Sequence, residues 1–313
     1  MGRRVLTVSE LTFHERYKRD PKIYKPSDLD SKDLLDIFEK WAKDLDIADT
    51  HDEERQSWVS VTRVTRYAPR VIVLDLRVGA YGEPGDIVDI SKGKPVGKIK
   101  NNQAPTGENR AMLFVPEIGE RAHFLSEESS RGSAGGRILS LFKSHFRENS
   151  ENITMETASV TEGEAWQEGA KLTEVEVRVT GKSADIADGL KVKVGKISHI
   201  ARPERRGTFP VNLLHKLRFS NVAAEVVAVD ELPEDHDVYV TMVRDGRSKK
   251  FQLGSEGSPA IREVLNDSNE ATLDADKLVE RCTETVRDLL SRTGGEWNAE
   301  WSHPFPEKAR NDG

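Results

Sequence analysis

Short segments in which apolar and polar residues alternate recur along the chain and end at Gly, Pro or Asp. In the clearest one, Val175, Val177 and Val179 alternate with charged residues. Successive side chains of a strand point to opposite faces of a sheet, so this pattern is typical of antiparallel strands with one buried face. It predicts strands near Val59–Val64, Val71–Val78, Ala111–Val115, Ala122–Leu125, Ile153–Val160, Leu172–Val179, Leu190–Ile200, Val222–Val229, Val238–Val243 and Lys249–Leu253.

Three other segments carry apolar residues at spacings of three, four and seven, which is the period of an amphipathic helix. They are predicted from a cap at Asp30 or Ser31 to Leu45, from Ile138 to Phe146, and from Leu273 to Leu290. The combination predicts an α+β fold with two domains of mainly antiparallel sheet and a few packed helices. We expect an N-terminal domain over 1–160, a C-terminal domain with a long terminal helix over 161–293, and a flexible tail over 294–313.

Composition limits the environment and the partners of the chain. The single cysteine, Cys282, excludes an internal disulfide and a Cys-based zinc site and favours a reducing, cytoplasmic location. No run approaches the roughly 18 apolar residues of a membrane span, so we expect no direct membrane insertion. The 47 basic and 54 acidic residues give a net charge of −7, which argues against a chain coated with nucleic acid but permits a local basic patch.

The strongest local signal is an excess of positive charge between Leu190 and Arg218. One acidic residue, Glu204, stands there against eight basic ones: Lys191, Lys193, Lys196, Arg202, Arg205, Arg206, Lys216 and Arg218. Point charges on a strand and a loop suit a phosphate backbone and read little sequence. A second basic run, predicted to be a mobile loop that clamps from the other side, contains Lys92, Lys94, Lys98 and Lys100. The alternative is a solvated face balanced by acids elsewhere.

A Gly-rich connection from Arg131 to Arg137 precedes the second helix. Glycines before a helix let backbone amides approach an anion, and the helix dipole favours negative charge there. Arg131, Gly135, Gly136 and Arg137 are therefore candidate anion-binding residues. The alternative is a flexible connection between a hairpin and a helix.

Motifs for catalysis are incomplete. A P-loop requires G-x-x-x-x-G-K followed by Ser or Thr, but the stretch from Gly189 to Gly195 is one residue too long and is followed by Lys196 and Ile197. Asp28, Asp30 and Lys32 partly match the carboxylates and lysine of a metal-dependent nuclease, although Asp is also expected as a helix cap.

The histidines that might bind a metal are spread over different predicted elements, so a metal site would require convergence in space. They are His123, His145, His199, His215 and His236. The sequence therefore predicts no catalytic residue, no metal ligand and no cofactor.

The order of the predicted elements resembles that of RexA-like phage-exclusion proteins. The resemblance covers roughly Met112 to Arg292. It is carried by the hairpin "AMLFVPEIGERAHFL", the helix "ILSLFKSHF", the strands "ITMETASV", "LTEVEVRV", "EVVAVDEL" and "DVYVTMV", and the long C-terminal helix. It implies an α+β homodimer that binds double-stranded DNA with little sequence preference, as the sensor of an anti-phage system with a membrane effector protein as partner. The present chain is longer at its N-terminus and acidic overall.

Three hypotheses follow from these observations. The first is a non-catalytic DNA-binding protein, a homodimer whose apolar Leu273–Leu290 stripe either meets a second copy or packs on its own sheet. The second is a metal-dependent nuclease or toxin whose site assembles only in the fold. The third is an interaction module that does not contact nucleic acid, and it would leave the basic residues of 191–218 in open solvent.

Overall fold

The fold is known from a computed structural model, which describes residues 3–129, 133–160, 170–180, 183–186, 190–193, 196–204, 207–210, 213–217, 220–230, 232–233, 236–244, 246–253, 262–266, 270–307 and 310. The chain forms two compact units. Unit 1 comprises residues 1–160 and 265–313, and unit 2 comprises residues 161–264. The helices and the antiparallel sheets confirm the predicted α+β class.

The centre of unit 1 is an antiparallel sheet in the order β10-β1-β9-β8-β5-β4-β3, with β2 also pairing with β1. A separate two-stranded sheet is formed by β6 and β7. The strands are β1 (Arg4–Glu15), β2 (Ile23–Tyr24), β3 (His51–Asp52), β4 (Ser57–Ala68), β5 (Val71–Ala80), β6 (Gly85–Asp89), β7 (Lys94–Ile99), β8 (Thr106–Phe114), β9 (Arg121–Ser129) and β10 (Ile153–Val160).

Two helices, α1 (Leu34–Asp44) and α3 (Ala134–Asn149), pack on one face of this sheet, and a short α2 (Ile47–Thr50) follows α1. Their aromatic side chains interlock, with ring centroids 4.8 Å apart for Phe38 and Phe142. The helix cap is Asp33, whose carboxylate accepts from the Leu35 amide and from the guanidinium of Arg70.

The cap predicted at Asp30 or Ser31 is therefore wrong by two or three residues. Asp30 and Ser31 have positive φ angles of 51° and 68°, which are not helical. Asp28 stabilises this turn, because its carboxylate accepts from the Ser31 amide at 2.9 Å. Several polar residues in succession can each cap a turn or a helix, and the sequence alone does not rank them.

The C-terminal segment belongs to unit 1. It contains α6 (Ala275–Arg292) and a 3-10 turn (Ala299–Ser302). Trp297 is buried against Phe114 of β8, with ring centroids 5.4 Å apart, and Trp301 is also buried. This corrects the expectation that α6 lies in a domain over 161–293 and that a loose tail follows, because an apolar stripe does not tell which sheet will bury it. The stripe of α6 is itself buried within the single chain.

Unit 2 contains a second antiparallel run, in the order β14-β11-β15-β16-β17, and a separate β12-β13 pair. One face carries buried apolar residues such as Val175, Val240 and Phe251, covered by Leu214 of α4 and Ala223 of α5. Its elements are β11 (Lys171–Thr180), β12 (Ser183–Ile186), β13 (Leu190–Lys193), β14 (Lys196–Ala201), β15 (His236–Arg244), β16 (Arg247–Leu253), β17 (Arg262–Asn266), α4 (Leu213–Lys216) and α5 (Ser220–Val226).

The strand predicted over Val222–Val229 is wrong, because this segment forms α5. Its valines favoured a strand, but Ala223 and Ala224 are strong helix formers and both are buried. The strand predicted over Leu190–Ile200 is two strands, of which β13 pairs with β12 and β14 pairs with β11.

Candidate nucleic-acid interface

A two-stranded arm extends unit 1 between β5 and β8. These two strands are neighbours in the main sheet, and the register Gly79↔Thr106 brings the two ends of the intervening segment together. The segment folds into the β6-β7 hairpin, which forms a separate two-stranded sheet among the described residues. The predicted mobile loop is thus an ordered hairpin, called here the arm (residues 81–105).

The arm carries four lysines and three acidic residues, Glu83, Asp86 and Asp89. Its four lysines, Lys92, Lys94, Lys98 and Lys100, are all exposed. Lys92 lies 3.5 Å from the carboxylate of Asp89. Within the part of the chain that the structure describes, the ammonium groups of the other three form no ion pair, and they are therefore available to an external anion.

The arm also exposes an unusual amount of apolar surface. Of the nine large hydrophobic side chains exposed in the described residues, four belong to it: Ile87, Val88, Ile90 and Val96. Ile90, at the tip, is 96% exposed. Two isolated strands are only marginally stable in water. Apolar side chains on such a hairpin are therefore typical of a surface that is buried by a partner.

The tip is held in one conformation by Asp89. Its carboxylate accepts from the amide and the hydroxyl of Ser91 at 2.9 and 2.6 Å. These bonds from Ser91 and the nearby Lys92 lower the pKa of Asp89. The Gly93 amide donates to the Asp89 carbonyl at 2.7 Å, and Gly93 has a φ of 62°, in the left-handed region that favours glycine. Ile90 is thus presented outward by an ordered turn.

The lysines of the arm were predictable from the sequence, whereas its exposed apolar residues were not predicted. The segment "GDIVDISKGKPVGKI" places an apolar pair before a Gly-containing turn and further apolar residues after it, which is the pattern of a hairpin with a bulge. The bulge lies at Val96, where the register shifts between Ile87↔Gly97 and Val88↔Pro95. The three lysines, three glycines and one proline of the segment obscured that pattern.

The basic residues between Leu190 and Arg218, predicted to contact DNA, lie on different elements of unit 2. Lys196 and Arg202 lie at the start and just beyond the end of β14, and both are exposed. Lys216 is exposed at the end of α4, the helix that packs on the apolar face of the sheet. Lys191 and Lys193 have a described backbone in β13, opposite Asp185 and Ser183. Arg205, Arg206 and Arg218 lie outside the described residues.

The other face of the unit 2 sheet carries charges that neutralise one another. Arg202 forms an ion pair with Glu174 at 2.8 Å. Glu176 accepts from Arg178 and Lys250. Burial alone would raise the pKa of Glu176, but hydrogen bonds from Arg178, Lys250 and Ser198 lower it to about 2. Of the basic side chains described on this face, Lys171 and Lys196 form no ion pair.

The candidate anion-binding residues have structural partners. The guanidinium of Arg137 donates to Ser57 Oγ at 2.6 Å and to the Thr50 carbonyl at 2.8 Å. Gly135 is buried where α3 crosses β9, and a Cβ at that position would overlap Cβ of Ser126 and lie 2.6 Å from its Oγ. Gly136 is exposed, and Arg131 lies outside the described residues. These contacts explain Gly135 and Arg137 without an anion.

We expect Gly135→Ala to destabilise unit 1 by about 2 kcal/mol, because the added methyl has no space between α3 and β9. Gly136→Ala is the matched control. Its Cβ would meet only Ser133 Oγ, at 3.3 Å, so the change should stay within about 1 kcal/mol. Urea unfolding of the two variants measures both effects, and equal losses would contradict close packing at Gly135.

Of the candidate catalytic residues, Asp30, Lys32 and His145 line one pocket of unit 1, and Asp28 is not part of its lining. Asp28 stabilises the turn before α1, as described above, and Asp30 and Lys32 are exposed. His123 is buried. Its burial and, to a smaller extent, the positive charge of Arg121 lower its pKa to about 4, so it is neutral at pH 7. Among the described residues, no three His, Cys, Asp or Glu side chains are grouped so as to hold a metal ion. No helix in the same part of the chain is long and apolar enough to span a membrane.

Comparison with known proteins adds no relative: no family model, no curated protein and no solved structure matches this chain.

Proposed function

We propose that the chain is a non-catalytic DNA-binding protein with little sequence preference, and that the arm is its principal contact with double-stranded DNA. The observation that supports this most strongly is the combination on one ordered hairpin of four exposed lysines and a 96% exposed isoleucine. An arm of this kind presents ammonium groups to phosphates and has an apolar tip that is unfavourable in water.

The chemistry of the arm fits a DNA groove better than a protein surface. Lysine ammonium groups contact phosphates as point charges and carry no sequence information. A two-stranded ribbon is narrow enough to enter the major groove, and architectural proteins place apolar side chains against base steps of the minor groove. Ile90 and Val96 would contact the groove while the lysines contact the phosphates beside it. Lys196 provides an additional positive charge in unit 2.

The cellular role rests on the RexA-like order of elements, from which the segment "EVVAVDEL" departs because it begins in α5 and not in a strand. By that resemblance we propose a cytoplasmic homodimer that senses DNA in anti-phage defence and signals to a membrane effector protein. The apolar stripe of α6 does not support a dimer, since it is buried within the chain. A mass by light scattering at micromolar concentration that equals a monomer would contradict this part of the proposal.

The proposal is tested by anisotropy titrations of two unrelated duplexes over a range of salt. With four phosphate contacts by the arm, the logarithm of the binding constant should fall with the logarithm of the salt concentration at a slope of about −3.6 or steeper. The two duplexes should bind with similar affinity and remain intact. Absence of binding at low salt would overturn the proposal. Cleavage that requires a divalent metal and is lost in Asp28→Ala would favour the nuclease hypothesis instead.

A further inference from the structure

We infer that a pocket of unit 1, between the β1-β2 connection and α3, binds a nucleotide, with the base against Tyr17 and the phosphate against Arg147. None of the residues that line this site was a candidate binding residue from the sequence. It does not depend on the arm, because none of its residues lies between 81 and 105. It has a volume of about 360 Å³, within the usual range of small-molecule sites.

Successive turns of α3 form the wall of the pocket against which a phosphate would lie. Ser140, Lys143, Ser144 and Arg147 follow the spacing i, i+3, i+4 and i+7, which places them on one face of the helix, and all line the pocket. In the described residues, the guanidinium of Arg147 and the hydroxyls of Ser140 and Ser144 have no hydrogen-bond partner. Lys143 lies 3.2 Å from the carboxylate of Glu156, which also lines the pocket.

Arg16 is fixed at the border of the pocket. Its Nη2 donates to the carbonyls of Arg147 and Ile153 at 3.1 and 3.2 Å. The guanidinium cannot lose its charge, so this arrangement fixes a positive charge beside Arg147 before any ligand arrives. With Lys143, three cations face a single acid, Glu156, and the pocket therefore favours an anion.

Tyr17 provides a surface for an aromatic group. Its side chain is 95% exposed, and its backbone has a φ of 61°, a region that aromatic residues rarely adopt. Residues held in such a conformation are concentrated at binding sites. The guanidinium of Arg16 lies 5.9 Å from the ring centroid. A nucleobase can stack on an exposed tyrosine ring whatever its identity.

An aromatic surface next to an anion site matches a nucleotide, which joins a base to a phosphate. The source of the nucleotide is either a free nucleotide or one residue of a single-stranded nucleic acid. Lys18 and Arg19, exposed beyond Tyr17, would contact the next phosphates of a strand but not a free nucleotide. The two sources therefore predict different affinities for the same pocket.

The test is isothermal titration of the full chain with AMP and with a 5′-phosphorylated oligo(dT) single strand. Both Arg147→Gln and Tyr17→Leu should weaken binding about 10-fold, through a lost charged hydrogen bond and lost stacking. Arg287→Gln, which removes an exposed arginine from α6, should change nothing. All three side chains are exposed, and circular dichroism checks that the variants are folded.

The outcomes separate the two sources and the two proposals. Similar affinities for AMP and the strand indicate a free nucleotide, and much tighter binding of the strand indicates single-stranded nucleic acid. Replacing the arm lysines should leave AMP binding unchanged, even if duplex binding is lost. The inference is overturned if neither probe binds at about 1 mM, which corresponds to only about −4 kcal/mol, or if Arg147→Gln and Tyr17→Leu both bind like the parent.

Discussion

Replacing Lys92, Lys94, Lys98 and Lys100 together by glutamine is expected to lower the affinity for duplex DNA on the order of 10³-fold at 0.1 M salt. Each lysine that contacts a phosphate releases a condensed counterion, so losing four contacts should also reduce the magnitude of the log–log salt slope by about 3.6. The loss should be similar for unrelated sequences, since ammonium groups on phosphates do not distinguish base pairs. All four side chains are exposed, and the fold should remain intact.

The matched control replaces four exposed lysines elsewhere in unit 1, Lys32, Lys40, Lys43 and Lys277, by glutamine. Both variants change the net charge by the same amount, so the comparison separates the position of the charge from its total. We expect the control to retain most of its affinity and its salt slope. Equal losses in the two variants would mean that binding follows net charge and that the arm has no special role.

Lys249→Met is expected to destabilise unit 2 by about 3–5 kcal/mol. Lys249 lies on the apolar face of β16 with Phe251, and its Nζ is 3.1 Å from Oε2 of Glu263 on β17. Both side chains are fully buried. Removing the ammonium group of Lys249 takes away the opposite charge that stabilises the buried carboxylate of Glu263. This loss is far more costly than the loss of an exposed ion pair.

The double variant Lys249→Met with Glu263→Leu provides the control, because replacing a buried ion pair by apolar residues is often close to neutral. Urea unfolding, followed by a probe in unit 2, should therefore give a large loss for the single variant and a substantial recovery for the double. A single variant that loses less than about 1 kcal/mol would show that water or another group compensates Glu263.

Most secondary structure in this chain could be predicted because its signals are local. The period-two valines of β11 and the helical spacing in α1 each determine their own element. The position of an element in the fold depends on contacts with residues that are far away in the sequence, and local patterns carry little information about those contacts. The apolar stripe of α6 is buried in unit 1, although residues 161–264 of unit 2 separate it in sequence from the rest of that unit. Trp297, in the segment predicted to be a flexible tail, packs against Phe114. In α5, helix-forming alanines and tertiary packing outweigh the β-branched residues around them.

The candidate site was predictable in part. Lysine runs are visible in the sequence, but whether each charge is free depends on its neighbours in three dimensions. Arg202 is paired with Glu174, which lies far from it in the sequence. Lys94 and Lys98 lie opposite Asp89 and Asp86 on their hairpin, but in the described residues their ammonium groups form no ion pair. The pocket at Tyr17 combines three segments, the β1-β2 connection, α3 and β10, of which the first lies far from the others in the sequence. A backbone angle such as the φ of Tyr17 has no signal in composition or periodicity.

The most direct test of the arm as the DNA contact is lysine acetylation, quantified by mass spectrometry, with and without saturating duplex DNA. A contact excludes the reagent from a lysine, so Lys92, Lys94, Lys98 and Lys100 should become strongly protected while Lys40 and Lys277 continue to react as before. The same spectra report on Lys191, Lys193, Lys196 and Lys216 in unit 2. Unchanged acetylation of the four arm lysines under conditions where the DNA is bound would contradict the proposed interface.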